Sequence, residues 1–287
     1  MNTVELPAFA KINLTLSVTG RRPDGYHEIV SVMQAVDLHD DVTVSLRADG
    51  EIRLQVPDGK FVPEDSRNTA YKAAAAFLKY AGRTDGADIV IQKRIPVRAG
   101  LGGGSADAAA VLVGLNQLLE TGYTAERLCE IGAAVGTDVP FCILGGAAVA
   151  TGIGADLRPL PSLPDCSIVV AQPFGNGVST GEAYARIDAA QSLPPIDQFG
   201  MRAAIEKGDL PAVGRRLGND FEAAFRLPEA AELRQIMDEF RPLGSQMTGS
   251  GSAVFAIFSE STTAAACAEK LRQTASEVFV CKPIPPR

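Results

Sequence analysis

The residues best placed to do chemistry lie between Pro96 and Asp107, where Gly100, Gly102, Gly103 and Gly104 stand within five positions and Ser105 follows at once. Glycine has no Cβ, so this backbone can take positive φ and bring several N–H groups close to an anion. A helix starting here adds unpaired N–H donors and the positive end of its dipole. The chemistry is phosphate binding. A tight helix start is the plainer alternative, although four glycines carry a high entropic cost for a mere connection. Better-known phosphate loops do not fit. No Gly-Lys-Ser or Gly-Lys-Thr closes the stretch, and the one Gly-Lys pair, Gly59-Lys60, precedes Phe61 elsewhere in the chain. The third glycine of a dinucleotide-binding fingerprint would fall at Ser105. A protein-kinase glycine loop would need a His-Arg-Asp catalytic loop, and none is present.

Other polar groups fall on patterned segments. Over 8–18 the alternation is strict, with Ile12, Leu14, Leu16 and Val18 on one strand face and Lys11, Asn13, Thr15 and Ser17 on the other. Lys11 and Asn13 therefore point the same way, on a face that is ordinarily solvated. Asp138, before Val139-Pro140, has the neighbours of a turn former. Asn68, ahead of an alanine-rich stretch, suits a helix N-cap. Tyr26 and His27 follow the turn Arg22-Pro23-Asp24-Gly25, and a second glycine-serine loop, Gly249-Ser250-Gly251-Ser252, precedes an apolar strand.

These groups must be positioned by elements whose periods are readable. The β-branched run over 87–95 predicts a strand into the glycine loop, and 108–119 predicts a buried helix after it. Strands are expected at 28–36, 42–46 and 51–56, continuing an antiparallel sheet, with an acidic bend at 37–41. A polar loop over 57–67 leads to a helix at 68–81, which Gly82 ends, and Thr124 starts another that runs to about 135. The apolar run 141–150, broken by Gly145 and Gly146, reads as two short core strands. Prolines from Pro159 to Pro164 mark a domain boundary. Beyond it come a strand at 166–171, helices at 180–190, 197–207, 210–225 and 228–240, a strand at 253–258, a helix at 261–276 and a strand at 278–281. No long-period repeat or low-complexity tract interrupts this order.

The bulk numbers bound the answer. A chain of 287 residues, 46% hydrophobic and 21% charged, can bury one large core or two medium ones and is globular rather than disordered. A net charge of −7 argues against a general nucleic-acid binder. Five scattered cysteines with no Cys-x-x-Cys pair argue against a disulfide scaffold or zinc site and read as buried thiols. With no basic and apolar leader and no apolar run of about 20 residues, a cytoplasmic protein is expected.

In chain order, Ala10-Lys11-Ile12-Asn13-Leu14, the loop from Pro96 through Ala106, and Met247-Thr248-Gly249-Ser250-Gly251-Ser252-Ala253 together resemble the GHMP superfamily of small-molecule kinases. Arg22-Pro23-Asp24-Gly25-Tyr26-His27-Glu28, Asp138-Val139-Pro140-Phe141 and Asn219-Asp220-Phe221-Glu222 are similar to the branch whose acceptor carries a cytidine diphosphate. The likeness spans nearly the whole chain. Ala106 stands where serine is commoner and Thr137 where alanine is usual, and neither departure removes a group the chemistry needs.

This resemblance implies an α+β, two-domain GHMP kinase fold, with a ribosomal-protein-S5-domain-2-like N-terminal half and a ferredoxin-like C-terminal half. An ATP-binding domain would span 1–158 and a C-terminal domain 159–287, with the active site in the cleft between them. ATP and Mg2+ are the implied cofactors, and the γ-phosphate passes to the 2-hydroxyl of a small-molecule substrate in isoprenoid precursor synthesis. By matched position Asp138 is the catalytic base and Lys11 its cationic partner. Gly100, Leu101, Gly102, Gly103, Gly104, Ser105 and Ala106 form the phosphate loop, with the Ser105 hydroxyl also available to the metal ion. Asn68 falls near the adenine or ribose, and Tyr26 and His27 are the cytosine-recognition pair. Asn13 faces the same substrate, while Gly249, Ser250 and Gly251 close over it from across the cleft. Asp107 reads as a partner of the helix dipole, because a carboxylate aimed at a triphosphate would repel it. No nucleic acid or membrane partner is implied, and the chain is expected as a monomer or weak homodimer.

Overall fold

β1 (Thr3–Arg21) and β2 (His27–Arg47) run antiparallel along most of their length and carry the N-terminal half. The structure is a computed structural model describing residues 2–57, 59, 62–175, 178–190 and 192–287. Lys60 and Phe61, which follow Gly59 in the polar loop expected over 57–67, lie outside the described residues. The alternation over 8–18 holds, but both faces of β1 are covered: Lys11, Asn13 and Thr15 are buried like Ile12 and Leu14. The solvated face expected for Lys11 is instead the face on which the second half of the chain rests, as the bond from the Asn13 N–H to Thr248 Oγ1 (3.0 Å) shows.

After β3 (Ile52–Gln55) comes α1 (Thr69–Tyr80), capped by Asn68, whose Oδ1 accepts from the Ala70 N–H at 2.8 Å. β4 (Gly86–Gln92) leads through the glycine loop into α2 (Gly103–Leu118), followed by α3 (Ala125–Ala133), α4 (Val139–Leu144), β5 (Ala147–Thr151) and β6 (Asp156–Leu160). The second half begins with β7 (Ser167–Gln172), α5 (Thr180–Ala189), α6 (Gln198–Glu206) and α7 (Leu210–Gly214). It continues through β8 (Gly218–Asn219), α8 (Asp220–Ala224), α9 (Pro228–Glu239) and β9 (Gly244–Met247). β10 (Val254–Phe258), α10 (Ser261–Leu271) and β11 (Glu277–Cys281) end it.

Among the described residues the first sheet has seven strands, ordered β3-β4-β2-β1-β8, with β5 paired to β2 and β6 to β5. The second has four antiparallel strands in the order β11-β7-β10-β9, the arrangement expected of a ferredoxin-like half. Strand β10 shows how the halves share a core. Phe255 and Ile257 pack with the core of the N-terminal half, whereas Val254, Ala256 and Phe258 pack with residues of α9 and α10. Buried on both faces, such a strand reads as an unbroken apolar run. All five cysteines are free, four of them buried, and no helix among the described residues is long and apolar enough to cross a membrane.

The structure departs from the sequence reading at six places. The acidic bend expected at 37–41 lies within β2, where a register shift against β1 between Phe9 and Lys11 absorbs the extra residues. β3 pairs parallel, not antiparallel, with β4. The run 141–150 is helix α4 and then β5, not two strands; Pro140 suits the first helical turn, and a wholly buried apolar run carries no period to distinguish the two. The helix expected over 210–225 is α7, β8 and α8, because Gly218 and Asn219 pair with Thr15 and Leu16 of β1. Finally, α2 starts at Gly103, five residues before its expected start, and β6 is a strand that the sequence reading lacks.

Asp40 holds the corner where β4 turns toward the glycine loop. Fully buried, its carboxylate accepts from Lys93 Nζ (2.5 Å), the Arg94 N–H (2.5 Å) and the Ile95 N–H (2.8 Å). Without Asp40, Lys93 keeps Asp107, but the Arg94 and Ile95 N–H groups lose their acceptor. Asp40→Ala is therefore expected to lower the unfolding free energy by about 2–4 kcal/mol, measured by urea denaturation. A loss below about 1 kcal/mol would show that other contacts hold the corner.

Candidate active site

The glycine loop ends in a helix start shaped for an anion. Gly102 occupies the N-cap of α2 at φ 73 with no side-chain cap. The first intrahelical bond runs from the Ala106 N–H to the Gly102 carbonyl at 2.9 Å, so the N–H groups of Gly103, Gly104 and Ser105 precede it without helical partners. A cavity of about 420 Å³ opens beside these donors, lined also by Asn68, Thr69, Lys93 and Asp107. Leu101 and Ala106 of the loop are buried beneath it.

On the other side of the loop lies a second cavity of about 480 Å³, lined by Lys11, Asn13, Asp138, Tyr184 and the stretch Gly249–Gly251. Arg98, Gly100 and Gly102 line both spaces, so the two meet at the loop. Lys11 Nζ donates to Asn13 Oδ1 (2.6 Å) and to the Gly100 carbonyl (2.9 Å), and it lies 3.7 Å from Asp138 Oδ2. Asp138 holds the N-cap position of α4 yet makes no cap bond. Pro140 in that first turn has no N–H to offer, and the carboxylate is left to face the cavity. The arrangement pairs a carboxylate able to take a proton with an ammonium able to offset negative charge.

The two glycine loops meet back to back. Gly100 (φ 77) and Gly249 (φ 54) are both left-handed, and a Cβ on Gly100 would collide with the Thr248 carbonyl. A Cβ on Gly249 would stand 2.8 Å from the Gly100 carbonyl. Only glycine permits this approach.

Asp107, expected as a partner of the helix dipole at the start of α2, also holds a buried side chain. It is buried, and its Oδ2 takes a bond from Lys93 Nζ at 2.9 Å, the ammonium that Asp40 also holds. Burial pushes the Asp107 pKa up to about 7 against the pull of Lys93. Burial opposes the charged form of Lys93, but the charges of Asp107 and Asp40 outweigh it and raise that pKa. Two carboxylates around one ammonium carry excess negative charge, and both groups accordingly hold protons tightly. Asp107 Oδ1 is buried without a hydrogen-bond partner.

The remaining sequence-derived candidates divide. Asn13, Gly249, Ser250 and Gly251 line the second cavity with Lys11 and Asp138; Asn68 and the loop line the first, with the Asn68 amide engaged by Ala70 and by the Pro63 carbonyl (2.8 Å). Tyr26 is 59% exposed and lines neither cavity. His27 packs face to face on Tyr184, with ring centroids 4.3 Å apart, and its Nε2 donates to Asp188 Oδ1 at 2.7 Å. Tyr184 stands edge-on to Phe221 as well, and burial followed by the Asp138 charge raises its phenol pKa. Tyr184 and Phe221 are the aromatic lining of the second cavity, and sequence reasoning missed the first. A tyrosine four residues before Asp188 on one helix carries no local signal of the His27 it meets across the fold. Among the described residues no three or more His, Cys, Asp and Glu side chains form a metal-holding group.

Comparison with known proteins finds two family matches. Residues 68–146 match the GHMP kinases N terminal domain, and residues 201–277 match GHMP kinases C terminal. The chain is 42% identical over 282 residues to the 4-diphosphocytidyl-2-C-methyl-D-erythritol kinase of Exiguobacterium sibiricum, covering 98% of each chain. It is 45% identical over 259 residues to the enzyme of that name from Desulfitobacterium hafniense, covering 89% of this chain and 87% of the relative. A crystal structure of 4-(cytidine 5'-diphospho)-2C-methyl-D-erythritol kinase superimposes with a TM-score of 0.81 at 35% identity, over 98% of this chain and 99% of that one. A homoserine kinase from Cytophaga hutchinsonii shares the fold with a TM-score of 0.77 at 19% identity, over 100% of this chain and 97% of that one.

The seam is open to a direct test. Gly100→Ala forces a side chain into a left-handed backbone and against Thr248, and it is expected to cost about 1–3 kcal/mol of unfolding free energy. Stability equal to that of the unaltered protein would show that the loops part freely.

Proposed function

The chain belongs to the GHMP kinases, and from that premise we propose that it transfers the γ-phosphate of ATP to the 2-hydroxyl of 4-diphosphocytidyl-2-C-methyl-D-erythritol. Its relatives of that name, at 42% and 45% identity over most of their length, support this reading. The observation that carries the chemistry is the meeting of two cavities at one glycine loop, with the Lys11 and Asp138 pair on the acceptor side.

In this reading ATP lies in the first cavity, its phosphates on the N–H groups of Gly103, Gly104 and Ser105, and the acceptor lies in the second. The acceptor oxygen bonds to the γ-phosphorus, the bond to the β–γ bridging oxygen breaks with its electron pair leaving on ADP, and the hydroxyl proton passes to Asp138. Lys11, held by Asn13 and the Gly100 carbonyl, offsets the negative charge of the nucleophile and the transferring group. Tyr184 puts an aromatic ring at the acceptor cavity, as a pyrimidine base requires, and His27, which does not line that cavity, backs this ring. Asn68 orders the wall of the nucleotide cavity by capping α1, and Tyr26 precedes His27 on the hairpin between β1 and β2. The 1–158 half supplies the nucleotide site and the catalytic pair; the 159–287 half supplies Tyr184 and the loop at Gly249–Gly251.

Mg2+ takes oxygen ligands and is commonly held by one or two carboxylates together with substrate phosphates. The Ser105 hydroxyl and the unpartnered Oδ1 of Asp107 belong to residues lining the nucleotide cavity and fit that donor set. The ion would neutralise charge on the phosphate oxygens. Both cavities are lined by a single chain, so the reaction requires no second copy. A monomer or weak homodimer acting in the cytoplasm on small molecules is the corresponding assignment.

An ATP-consumption assay against diphosphocytidyl-methylerythritol, mevalonate, phosphomevalonate, homoserine and galactose tests the function, and turnover with any but the first would overturn the acceptor assignment. Asp138→Asn is expected to lower kcat by about 10²–10⁴-fold while ATP and acceptor still bind. Near-normal turnover of that variant would remove Asp138 from the role of base. Tyr184→Ala is expected to weaken the cytidine acceptor by about 1–3 kcal/mol with little change in the KM for ATP. An unaltered acceptor KM would take the aromatic face out of base recognition.

A further inference from the structure

Arg98 belongs to the phosphate loop, yet the reaction described above gives it no part. Its backbone lies at φ 57, a left-handed conformation that a residue with a side chain enters only at a cost. The other left-handed positions of this loop, Gly100 and Gly102, are glycines. Strain of this kind persists where the surroundings hold it, and it gathers at functional sites. The Arg98 side chain is exposed, and Arg98 is the one residue other than glycine that lines both cavities.

Charge pairing isolates the same residue. Four cations line the two cavities: Lys11, Arg67, Lys93 and Arg98. Lys11 faces Asp138 at 3.7 Å, Arg67 pairs with Asp65 at 2.8 Å, and Lys93 pairs with Asp40 at 2.5 Å and Asp107 at 2.9 Å. Arg98 has no ion pair or side-chain hydrogen bond among the described residues. A planar guanidinium offers a fork of donors that matches phosphate oxygens two at a time. Phosphoryl transfer spreads negative charge over the oxygens of the transferring group, and a cation preorganised there acts on the transition state.

We propose that Arg98 is a catalytic residue that clamps phosphate oxygens of the nucleotide where the two cavities meet and holds the charge that develops on the transferring group. This rests on the kinase reading and deepens it by adding a cation that neither Lys11 nor the loop N–H groups replace. The strained backbone is the means by which a side chain at this position reaches the junction, since a glycine would relieve the strain and leave the junction without a free cation.

The test compares the unaltered protein with Arg98→Gly and Arg98→Lys, using calorimetric titration with ATP alone, steady-state turnover and thermal unfolding. Glycine accepts the same φ, so Arg98→Gly is expected to melt at the same temperature or higher. Its dissociation constant for ATP should rise about tenfold and its kcat should fall about 100-fold, with Arg98→Lys recovering part of both. The proposal is overturned if Arg98→Gly keeps ATP affinity and kcat within about twofold, if lysine recovers nothing, or if Arg98→Gly melts lower, which would make the residue architectural. ATP affinity does not depend on which alcohol is the acceptor. An unaltered protein that binds ATP but leaves diphosphocytidyl-methylerythritol unphosphorylated therefore defeats the acceptor assignment alone, and the binding comparison still decides Arg98.

Discussion

The side-chain amide of Asn13 accepts from Lys11 Nζ at 2.6 Å and from the Gly249 N–H at 3.0 Å, and it donates to Ser31 Oγ at 2.8 Å. One of those partners is the ammonium that faces Asp138, and another belongs to the loop that the second half of the chain brings to the site. A buried amide satisfied on both sides fixes its own plane, and so fixes where Lys11 points. Without it, a lysine that is only 4% exposed would keep just the Gly100 carbonyl and a carboxylate 3.7 Å away. The position of Lys11 and the docking of the two halves are therefore one constraint, and neither half alone builds the cavity that Lys11 and Asp138 line.

That constraint is tight because the loops it joins are bare backbone. Gly100 and Gly249 approach so closely that neither tolerates a Cβ, and the contact continues where the Ala253 N–H reaches the Ala99 carbonyl at 3.2 Å. Beneath the phosphate loop, Lys93 between Asp40 and Asp107 ties the end of β4, the middle of β2 and the first turns of α2 together. Asn219 adds a second tether, donating to the carbonyls of Met247 and Gly249 at 2.9 Å each while capping α8. The glycine loop, with its unpartnered N–H groups, is thus held from below by charge and from behind by close packing, and its donors are preorganised rather than recruited.

Much of this was legible in the sequence, for identifiable reasons. The alternation of β1 and the alanine-rich helix behind the glycine loop each obey a single local rule, and both elements are present, the helix with an earlier start. What failed were segments whose state depends on partners far away in the chain. The acidic residues 37–41 resemble a solvated bend until Asp40 meets Lys93 and Asp37 takes the Lys282 N–H at 2.8 Å. Residues 218–219 resemble the middle of a helix until β1 offers them a parallel edge. Lys11 showed which way it points but not that the second half would cover it. For the site, the backbone cradle and the Lys11 and Asp138 pair followed from motif, whereas Tyr184 and Arg98 did not: one depends on a contact across the fold, the other on a φ value.

In the proposed reaction, catalysis and acceptor choice fall on different parts of this molecule. The groups proposed to move the phosphoryl and the proton lie on β1, the glycine loop and the start of α4, all inside the N-terminal half and close to the seam. The groups suited to a base lie on the hairpin that ends β1 and on α5, where Tyr184 and Asp188, one helical turn apart, both engage His27. Neither the aromatic ring nor the imidazole makes a hydrogen bond or ion pair with Asp138 among the described residues. A fold shared with a homoserine kinase at 19% identity is what that separation leads one to expect. Phosphoryl transfer constrains the seam, where a Cβ or a lost amide breaks the geometry, while the acceptor constrains only a wall of the cavity that α5 and the hairpin can rebuild.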